Sequence, residues 1–262
     1  MKYPNFFEER KLWRRGYKRV VGLDEVGRGP LAGPVVAGAV MIKNPKHEAR
    51  NSKQILISKS QIQNSLEFRI LNLNIVSDFG FRISDLKLRD SKKLSPKARE
   101  KFYKILTTHP KIEWGIGRVS EKVIDKINIL EATKLAMIKA IKNLGKKLQR
   151  AGCHQFYHLN GDRWLSGKVD FLILDGNFKI DVKIPQKSII KGDEKVFSCA
   201  AASILAKVWR DKIMKRYHKK YPQYGFAQHK GYPTKKHRAM LKKYGPSAIH
   251  RLTFEPVKSI LI

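Results

Sequence analysis

The sequence predicts an α/β protein in which one mixed five-stranded sheet is flanked by helices. Short apolar runs with strand character occur among longer amphipathic helical patterns, in the order strand, strand, helix, strand, helix, strand, strand, helix. Two strands follow one another before any helix, which excludes a simple series of strand–helix–strand units. A hydrophobic share of 42% is typical of a globular chain. A basic helical tail follows the last of these elements.

The first two strands are predicted at residues 19–24 and 35–42, which are both apolar runs. Residues 26–34 between them are rich in Gly and Pro and predict a loop. Because the loop is short, we expect the two strands to be antiparallel neighbours.

The middle of the chain predicts a helix, a third strand and a second helix. Ser95 suits an N-cap and Pro96 the first position of a helix that ends near residue 106. Residues 112–119 predict the strand. Asn128, followed three residues later by Glu131, is close to a capping box. The apolar face of the helix that follows consists of Met137, Ile141, Leu144 and Leu148.

The last part of the predicted sheet lies after residue 168. Residues 169–174 predict a buried strand and 175–177 a turn, while 188–191 predict a short fifth strand. Asp193 is predicted to cap a long helix that ends near residue 217. The apolar face of that helix includes Phe197, Ala200, Ile204 and Val208, and Cys199 belongs to the core.

The predicted domain organisation is a main α/β domain at 19–217 and a basic helical extension at 218–262 that packs on it. Two segments, 44–88 and 152–168, interrupt the pattern of predicted elements. The first has no stable hydrophobic period except for an amphipathic stretch at 62–75.

Positive charge dominates the composition. The chain has 55 Lys and Arg against 22 acids, a formal net charge of +33. This surplus indicates a polyphosphate partner, although a lysine bias of the whole genome would also contribute to it. Between Lys207 and Lys243 there are 13 basic residues, one acid and six aromatic residues, which favours a nucleic-acid surface over a solvated basic helix.

Export and membrane insertion are not expected. The longest mostly apolar run, 30–42, is too short to span a bilayer, and the N-terminus has no apolar signal region. Two cysteines, Cys153 and Cys199, favour a reducing compartment. We therefore expect a cytoplasmic monomer with no membrane partner.

Carboxylates mark the ends of two predicted strands. Asp24 and Glu25 end the first strand and Asp175 ends the fourth, where a buried charge is costly unless it is paired or bound to a metal. Close carboxylates favour Mg²⁺ or Mn²⁺, and two such ions about 4 Å apart would support phosphodiester cleavage. Each acid by itself also suits a turn cap or an ion pair. For Asp193 the N-cap position is a sufficient explanation.

At these residues the chain resembles ribonuclease HII, the type 2 ribonuclease H family. The matching text occurs in six ordered blocks: LDEVGRGPLAGPVV at 23–36, DSKKLS at 90–95, INILEAT at 127–133, LDGN at 174–177, KGDEKVFSCAAASILAKVWRD at 191–211 and YPQYGFAQHKGYPTKKH at 221–237.

The resemblance implies that 19–217 is a catalytic domain with a ribonuclease H-like fold, followed by a C-terminal helical extension. Relative to the family pattern, 44–88 and 152–168 are insertions. The resemblance maps four catalytic, metal-binding acids onto Asp24, Glu25, Asp175 and Asp193, and it implies Mn²⁺ or Mg²⁺. The implied activity is endonucleolytic cutting of RNA–DNA hybrids and of duplex DNA that contains single ribonucleotides. The products carry a 3′-hydroxyl and a 5′-phosphate.

The resemblance also implies residues that bind the substrate. Gly27, Arg28 and Gly29 match the segment that recognises the ribonucleotide, and Tyr232 matches the tyrosine at the RNA–DNA junction. Glycine permits a close backbone approach to a sugar, and a 2′-hydroxyl both donates and accepts hydrogen bonds. We expect Ser91, Lys92 and Lys93 to contact backbone phosphates.

Two other functions remain open on the sequence. One is a non-catalytic basic protein that binds nucleic acid and whose acids are structural. The other is a different nuclease of the same fold, such as a resolvase, a recombinase or the type 3 ribonuclease H. A contact with a sliding clamp is not readable from the sequence.

Overall fold

The computed structural model describes residues 3–44, 86, 88, 91, 94–150 and 169–260. Residues 1–43 and 88–262 form one compact unit, so the predicted boundary after residue 217 falls inside it. The second unit, 44–87, lies almost wholly outside the described residues, as does the predicted insertion 152–168. The amphipathic stretch at 62–75 and Cys153 also lie outside them.

Five strands form one mixed sheet in the order β3-β2-β1-β4-β5, which confirms the predicted fold class. Its strands are β1 (Val20–Val26), β2 (Val35–Ile42), β3 (Ile112–Val119), β4 (Phe171–Asp175) and β5 (Gln186–Ile189). β1 pairs antiparallel with β2, as predicted, and β2 pairs antiparallel with β3. β1 pairs parallel with β4, and β4 with β5.

Helices cover both faces of the sheet and form the C-terminal extension. They are α1 (Phe7–Arg14), α2 (Pro96–Thr108), α3 (Glu121–Arg150), α4 (Gly192–Lys195), α5 (Phe197–Lys220), α6 (Phe226–His229), α7 (Lys235–Tyr244) and α8 (Val257–Ile260), with a 3₁₀ turn at Pro222–Tyr224. Among the described helices, none is long and apolar enough to cross a membrane.

The core consists of two layers of side chains, one on each face of the sheet. α3 packs on one face, where Gly117 of β3 lies against the carbonyl oxygen of Ala136. α5 packs on the other face, where Gly38 of β2 lies against the carbonyl oxygen of Ala202. A Cβ at either glycine would overlap helix backbone, so glycine allows both helices to approach the sheet closely.

Helix capping explains how two of the predicted helices begin. The hydroxyl of Ser95 accepts a hydrogen bond from Ala98 N at 3.2 Å, as an N-cap should. Asn128 accepts from the amides of Leu130 and Glu131, but it lies inside α3 at a bend with φ 65°. The sequence therefore located the cap correctly and missed the helical turns at 121–127.

Two other expectations need correction, and one helix was not predicted. The strand predicted at 188–191 is β5 at 186–189, because Lys191 adopts a left-handed conformation that cannot continue a strand. Asp193 does not cap the long helix: it lies in the first turn of the short α4, and α5 begins after Val196 without a side-chain cap. The N-terminal lead-in contains the helix α1, whose acids Glu8 and Glu9 occupy its first turn.

Candidate active site

Parallel pairing brings three distant carboxylates to one edge of the sheet. Leu23 of β1 pairs with Leu174 of β4, so Asp24 and Asp175 each follow a paired residue. Asp175 pairs with Ile189 at the end of β5, and Asp193 comes four residues later. The C-terminal ends of parallel strands lie at the same edge, which is where ligands bind in open sheets of this kind.

The three aspartates form a compact group. Each of Asp24, Asp175 and Asp193 has a carboxylate oxygen within 4.8 Å of the others. Asp24 is 5% exposed and Asp193 is 6% exposed, whereas Asp175 is half-buried. One side of the group is therefore open to a ligand.

Glu25 lies next to this group but outside it. Adjacent residues of a strand point to opposite faces of the sheet. Asp24 points to the face covered by α5, so Glu25 points to the opposite face, as Leu23 does. The Glu25 carboxylate forms an ion pair with Arg28 at 3.4 Å. Its second oxygen, Oε2, is buried without a hydrogen-bond partner in the described part of the chain.

The electrostatics of the group reflect its burial. Burial raises the pKa of Asp24 well above its usual range, and the neighbouring carboxylates of Glu25, Asp175 and Asp193 raise it further. Burial also raises the pKa of Glu25, an effect that Arg28 opposes and Asp175 reinforces. Negative charge is therefore concentrated here at a cost that a cation would relieve.

Hydrogen bonds hold two of the carboxylates in place. Asp175 Oδ1 accepts from the amide of Gly192 at 2.7 Å. The Ser203 side chain hydrogen-bonds to Asp24, which lowers the pKa of that carboxyl. The Ser203 hydroxyl is in turn 2.8 Å from the hydroxyl of Ser91. Side chains from α5 and from the segment before α2 thus orient the acid on β1.

These residues fit a hard divalent cation. The donors are carboxylate oxygens, which Mg²⁺ and Mn²⁺ prefer, and their mutual repulsion is relieved by a bound cation. The buried, unpartnered Oε2 of Glu25 is a further oxygen beside the group. Asp24, Asp175 and Asp193 would hold the ion, with Glu25 adjacent.

The Gly27–Gly29 loop follows Glu25 and lies against the C-terminal extension. Gly27 has φ +97°, and a Cβ there would overlap the guanidinium of Arg210, so the position requires glycine. A Cβ on Gly29 would lie 3.9 Å from Cε1 of Tyr232, whose ring is 38% exposed. Thus the two segments singled out for recognising the ribonucleotide are adjacent.

Two fully buried arginines hold the segment from Gly27 to Pro34, and the sequence did not reveal them. Arg251 donates to the carbonyl oxygens of Gly27 at 2.6 Å, Arg28 at 2.8 Å and Gly33 at 2.8 and 3.0 Å. Arg210 donates to the carbonyls of Pro34, Lys230 and Ala32. An arginine within a basic stretch gives no sequence signal that it will be buried.

A third arginine holds the segment before α2. Arg99 donates to the carbonyls of Ser91 and Leu94, at 2.9 Å each, and pairs with Asp211 at 3.1 Å. Ser91 is 2% exposed, so its hydroxyl supports Ser203 and is not on an open phosphate-binding surface. Lys92 and Lys93 lie outside the described residues.

The sheet topology and the grouped strand-end carboxylates define a nuclease domain of the ribonuclease H-like class. A sequence profile of the ribonuclease HII family matches residues 74–257. Ribonuclease HII of Chlamydia trachomatis serovar A is 39% identical over 257 residues, which cover 96% of this chain and 91% of that protein.

Solved structures show the same fold. Ribonuclease H2 from Pyrococcus horikoshii OT3 superposes with a TM-score of 0.58 at 24% identity, covering 92% of this chain and 96% of that one. Bst-RNase HIII in complex with Mn²⁺ gives a TM-score of 0.53 at 15% identity, with coverage of 93% and 69%.

The chain belongs to the ribonuclease HII family. It is accordingly an endoribonuclease of the ribonuclease H type. Enzymes of the ribonuclease H family depend on a divalent metal and act on RNA–DNA hybrids. The hypothesis of a non-catalytic binding protein is therefore wrong.

Proposed function

We propose that this chain cuts the RNA strand of RNA–DNA hybrids and also nicks duplex DNA on the 5′ side of a single embedded ribonucleotide. The observation that carries the second activity is the proximity of Tyr232 to Gly29, in the loop that directly follows Glu25. Gly29 and Tyr232 can together contact a sugar beside the carboxylates. This arrangement suits an enzyme that locates one ribonucleotide among deoxyribonucleotides.

In this proposal Asp24, Glu25, Asp175 and Asp193 are the catalytic, metal-binding acids. Two Mg²⁺ or Mn²⁺ ions would activate water and stabilise the leaving oxygen. The chain's own part is to hold the carboxylates: Gly192 N–H orients Asp175, and the Ser203 hydroxyl orients Asp24. The ion pair with Arg28 holds the Glu25 carboxylate beside the three aspartates.

The expected reaction is hydrolysis of the bond between phosphorus and O3′ on the 5′ side of the ribonucleotide. The water oxygen joins phosphorus and remains on the 5′-phosphate, while O3′ leaves and takes up a proton as a 3′-hydroxyl. Hydrolysis consumes one water and needs no other co-reactant.

Recognition of the ribonucleotide is assigned to Gly27, Arg28, Gly29 and Tyr232. The backbone of the loop can approach a sugar closely at Gly29, which is exposed, and a 2′-hydroxyl can both donate to and accept from it. The ring of Tyr232 would stack on the neighbouring deoxyribose, where a 2′-hydroxyl would clash. Arg251 makes this arrangement rigid by fixing the carbonyls of the loop.

The deciding experiment uses purified protein and a DNA duplex with one ribonucleotide, with Mg²⁺ and Mn²⁺ compared. We expect a nick 5′ to the ribonucleotide, with 3′-hydroxyl and 5′-phosphate ends, and no nick when EDTA replaces the metal. Cleavage of long hybrids without cleavage of this duplex would overturn the second activity. Cutting of an all-DNA junction would instead favour a resolvase.

The variant Tyr232→Ala tests whether Tyr232 recognises the RNA–DNA junction. We expect kcat/KM to fall at least tenfold more on the single-ribonucleotide duplex than on a long hybrid, because only the former has a junction at every site. Tyr244→Ala, which removes an exposed tyrosine from the end of α7, is the control. Equal losses on both substrates would contradict the role of Tyr232. We also expect the enzyme to act as a cytoplasmic monomer.

A further inference from the structure

Three histidines of the C-terminal extension surround the backbone of Tyr232. His237 and His250 are buried, at 0% and 2% exposure, and His229 is half-buried. The rings of His229 and His237 stack with their centroids 4.3 Å apart. Nε2 of His237 lies 3.0 Å from Nε2 of His250. Neither the sequence patterns nor the proposed chemistry accounts for this cluster.

The backbone partners of these rings determine which nitrogen carries each proton. The Ser247 amide donates to His250 Nδ1 at 2.8 Å, so a neutral His250 has its proton on Nε2. That proton points to Nε2 of His237, which must accept it. His237 therefore has its proton on Nδ1, where the carbonyl oxygen of Tyr232 accepts it at 2.9 Å.

Burial keeps the rings in this neutral state. It lowers the pKa of His237 and of His250 to about 4. The neighbouring His229 lowers the pKa of His237 further, and His237 and His229 lower that of His250 further. Both imidazoles are therefore uncharged at neutral pH. The 3.0 Å contact between them is a single hydrogen bond with a defined direction.

The chain of hydrogen bonds ends on the residue that faces the Gly27–Gly29 loop. The amide of Tyr232 donates to the carbonyl of His229 at 2.9 Å, and its carbonyl accepts from His237. The preceding Gly231 accepts from the amide of Leu31 at 2.8 Å. The Tyr232 carbonyl also accepts from the amide of Thr234 at 2.8 Å. The backbone on both sides of the tyrosine ring is thus held by histidines, by Thr234 and by Leu31, which follows the loop.

We propose that His237 and His250 are positioning residues for recognition of the RNA–DNA junction. An ordered chain of hydrogen bonds runs from the Ser247 amide through His250 and His237 to the carbonyl of Tyr232. This chain holds the tyrosine ring next to Gly29. The inference rests on the proposed role of Tyr232. It assigns part of the selectivity for single ribonucleotides to two buried side chains that do not touch the substrate.

The test compares variants of the two histidines that keep or remove the relevant nitrogen. In His237→Asn the side-chain amide takes the place of Nδ1–H and can still donate to the Tyr232 carbonyl, whereas His237→Leu cannot. In His250→Gln the amide takes the place of Nε2–H, whereas His250→Leu removes that donor. His109→Leu, at the end of α2, removes a half-buried histidine outside the cluster and is the control.

The readout is the ratio of kcat/KM on a single-ribonucleotide duplex to kcat/KM on a long hybrid. We expect this ratio to fall about five- to tenfold in His237→Leu and His250→Leu. It should stay within about twofold of the wild-type ratio in His250→Gln and His109→Leu. In His237→Asn it should fall less than in His237→Leu, because the amide keeps the donor to the Tyr232 carbonyl but not the acceptor for His250. Thermal unfolding of every variant separates a change in selectivity from a general loss of folded protein.

A double-mutant cycle completes the experiment. If His237 acts through Tyr232, then His237→Leu should not lower the ratio further in a Tyr232→Ala background. Equal losses on both substrates, or a ratio that falls as much in His237→Asn as in His237→Leu, would overturn the positioning role. A Tyr232→Ala enzyme with an unchanged ratio would instead refute the proposed function of the tyrosine itself.

Discussion

Neutralising Asp193 should make the metal-free protein more stable and the enzyme inactive. Its carboxylate lies within 4.8 Å of those of Asp24 and Asp175. At an effective dielectric constant of about 20, two unit charges at this separation repel by roughly 3 kcal/mol. Because burial and these neighbours already raise the pKa of Asp24, a proton relieves part of that repulsion. We therefore expect Asp193→Asn to raise the free energy of unfolding by about 1–3 kcal/mol in EDTA.

Metal should offset this stability advantage of Asp193→Asn over the wild-type protein. A cation at 100 times its dissociation constant stabilises a folded protein by about 2.7 kcal/mol, and Asp193→Asn should lose most of that gain together with hybrid cleavage. Urea unfolding with EDTA and with Mg²⁺ measures both effects. Asp181→Asn, which neutralises an exposed acid between β4 and β5, is the control. An Asp193→Asn enzyme that keeps its activity and its full response to Mg²⁺ would refute the assignment of Asp193 to the metal group.

Three further predictions follow from single side chains. Asp24→Asn should abolish cleavage of a hybrid while its affinity, measured by fluorescence anisotropy in EDTA, changes less than about threefold. Gly27→Ala should lower the free energy of unfolding, measured in urea, by at least about 1–2 kcal/mol. The reason is that φ is +97° and that the new Cβ would meet buried Arg210. A smaller decrease would show that the loop shifts freely. Burial raises the pKa of Glu9 to about 6 from 4.5, so folding stability should decrease by about 2 kcal/mol in total as pH rises from well below 4.5 to well above 6. Glu9→Gln can still accept from the Ser198 amide and should remove this dependence, and a persistent decrease would exclude Glu9 as its origin.

Much of the fold was predictable because strand and helix periodicity is local. The bounds of β2 and β3 agree with the prediction, and Ser95 caps α2 through its own hydroxyl. β5 and the start of α5 were misplaced by a few residues. Their ends depend on the left-handed Lys191 and on the extended Val196. The conformation of a single residue at such an end leaves no hydrophobic period in the sequence.

The ranking of the acids also changed once the sheet was assembled. The residue pattern favoured Asp24, Glu25 and Asp175 as ligands and explained Asp193 as a helix cap, so that only the family resemblance added Asp193 to the metal-binding acids. In the structure Asp193 joins the compact group, while Glu25 belongs to the other face of β1 and pairs with Arg28. Parallel pairing of β4 with β5 decides this arrangement, and such pairing has no local sequence signature.

The sequence alone predicted the class of fold and the acidic residues worth testing. Through six ordered motifs it also predicted the family. These follow from residue type and spacing, which are properties of the linear chain. Only the tertiary structure decided which carboxylates meet, which arginines are buried and how Tyr232 is held over Gly29. Those contacts join segments up to 224 residues apart, and their hydrogen bonds and burial exist only after the sheet and the C-terminal extension have packed together.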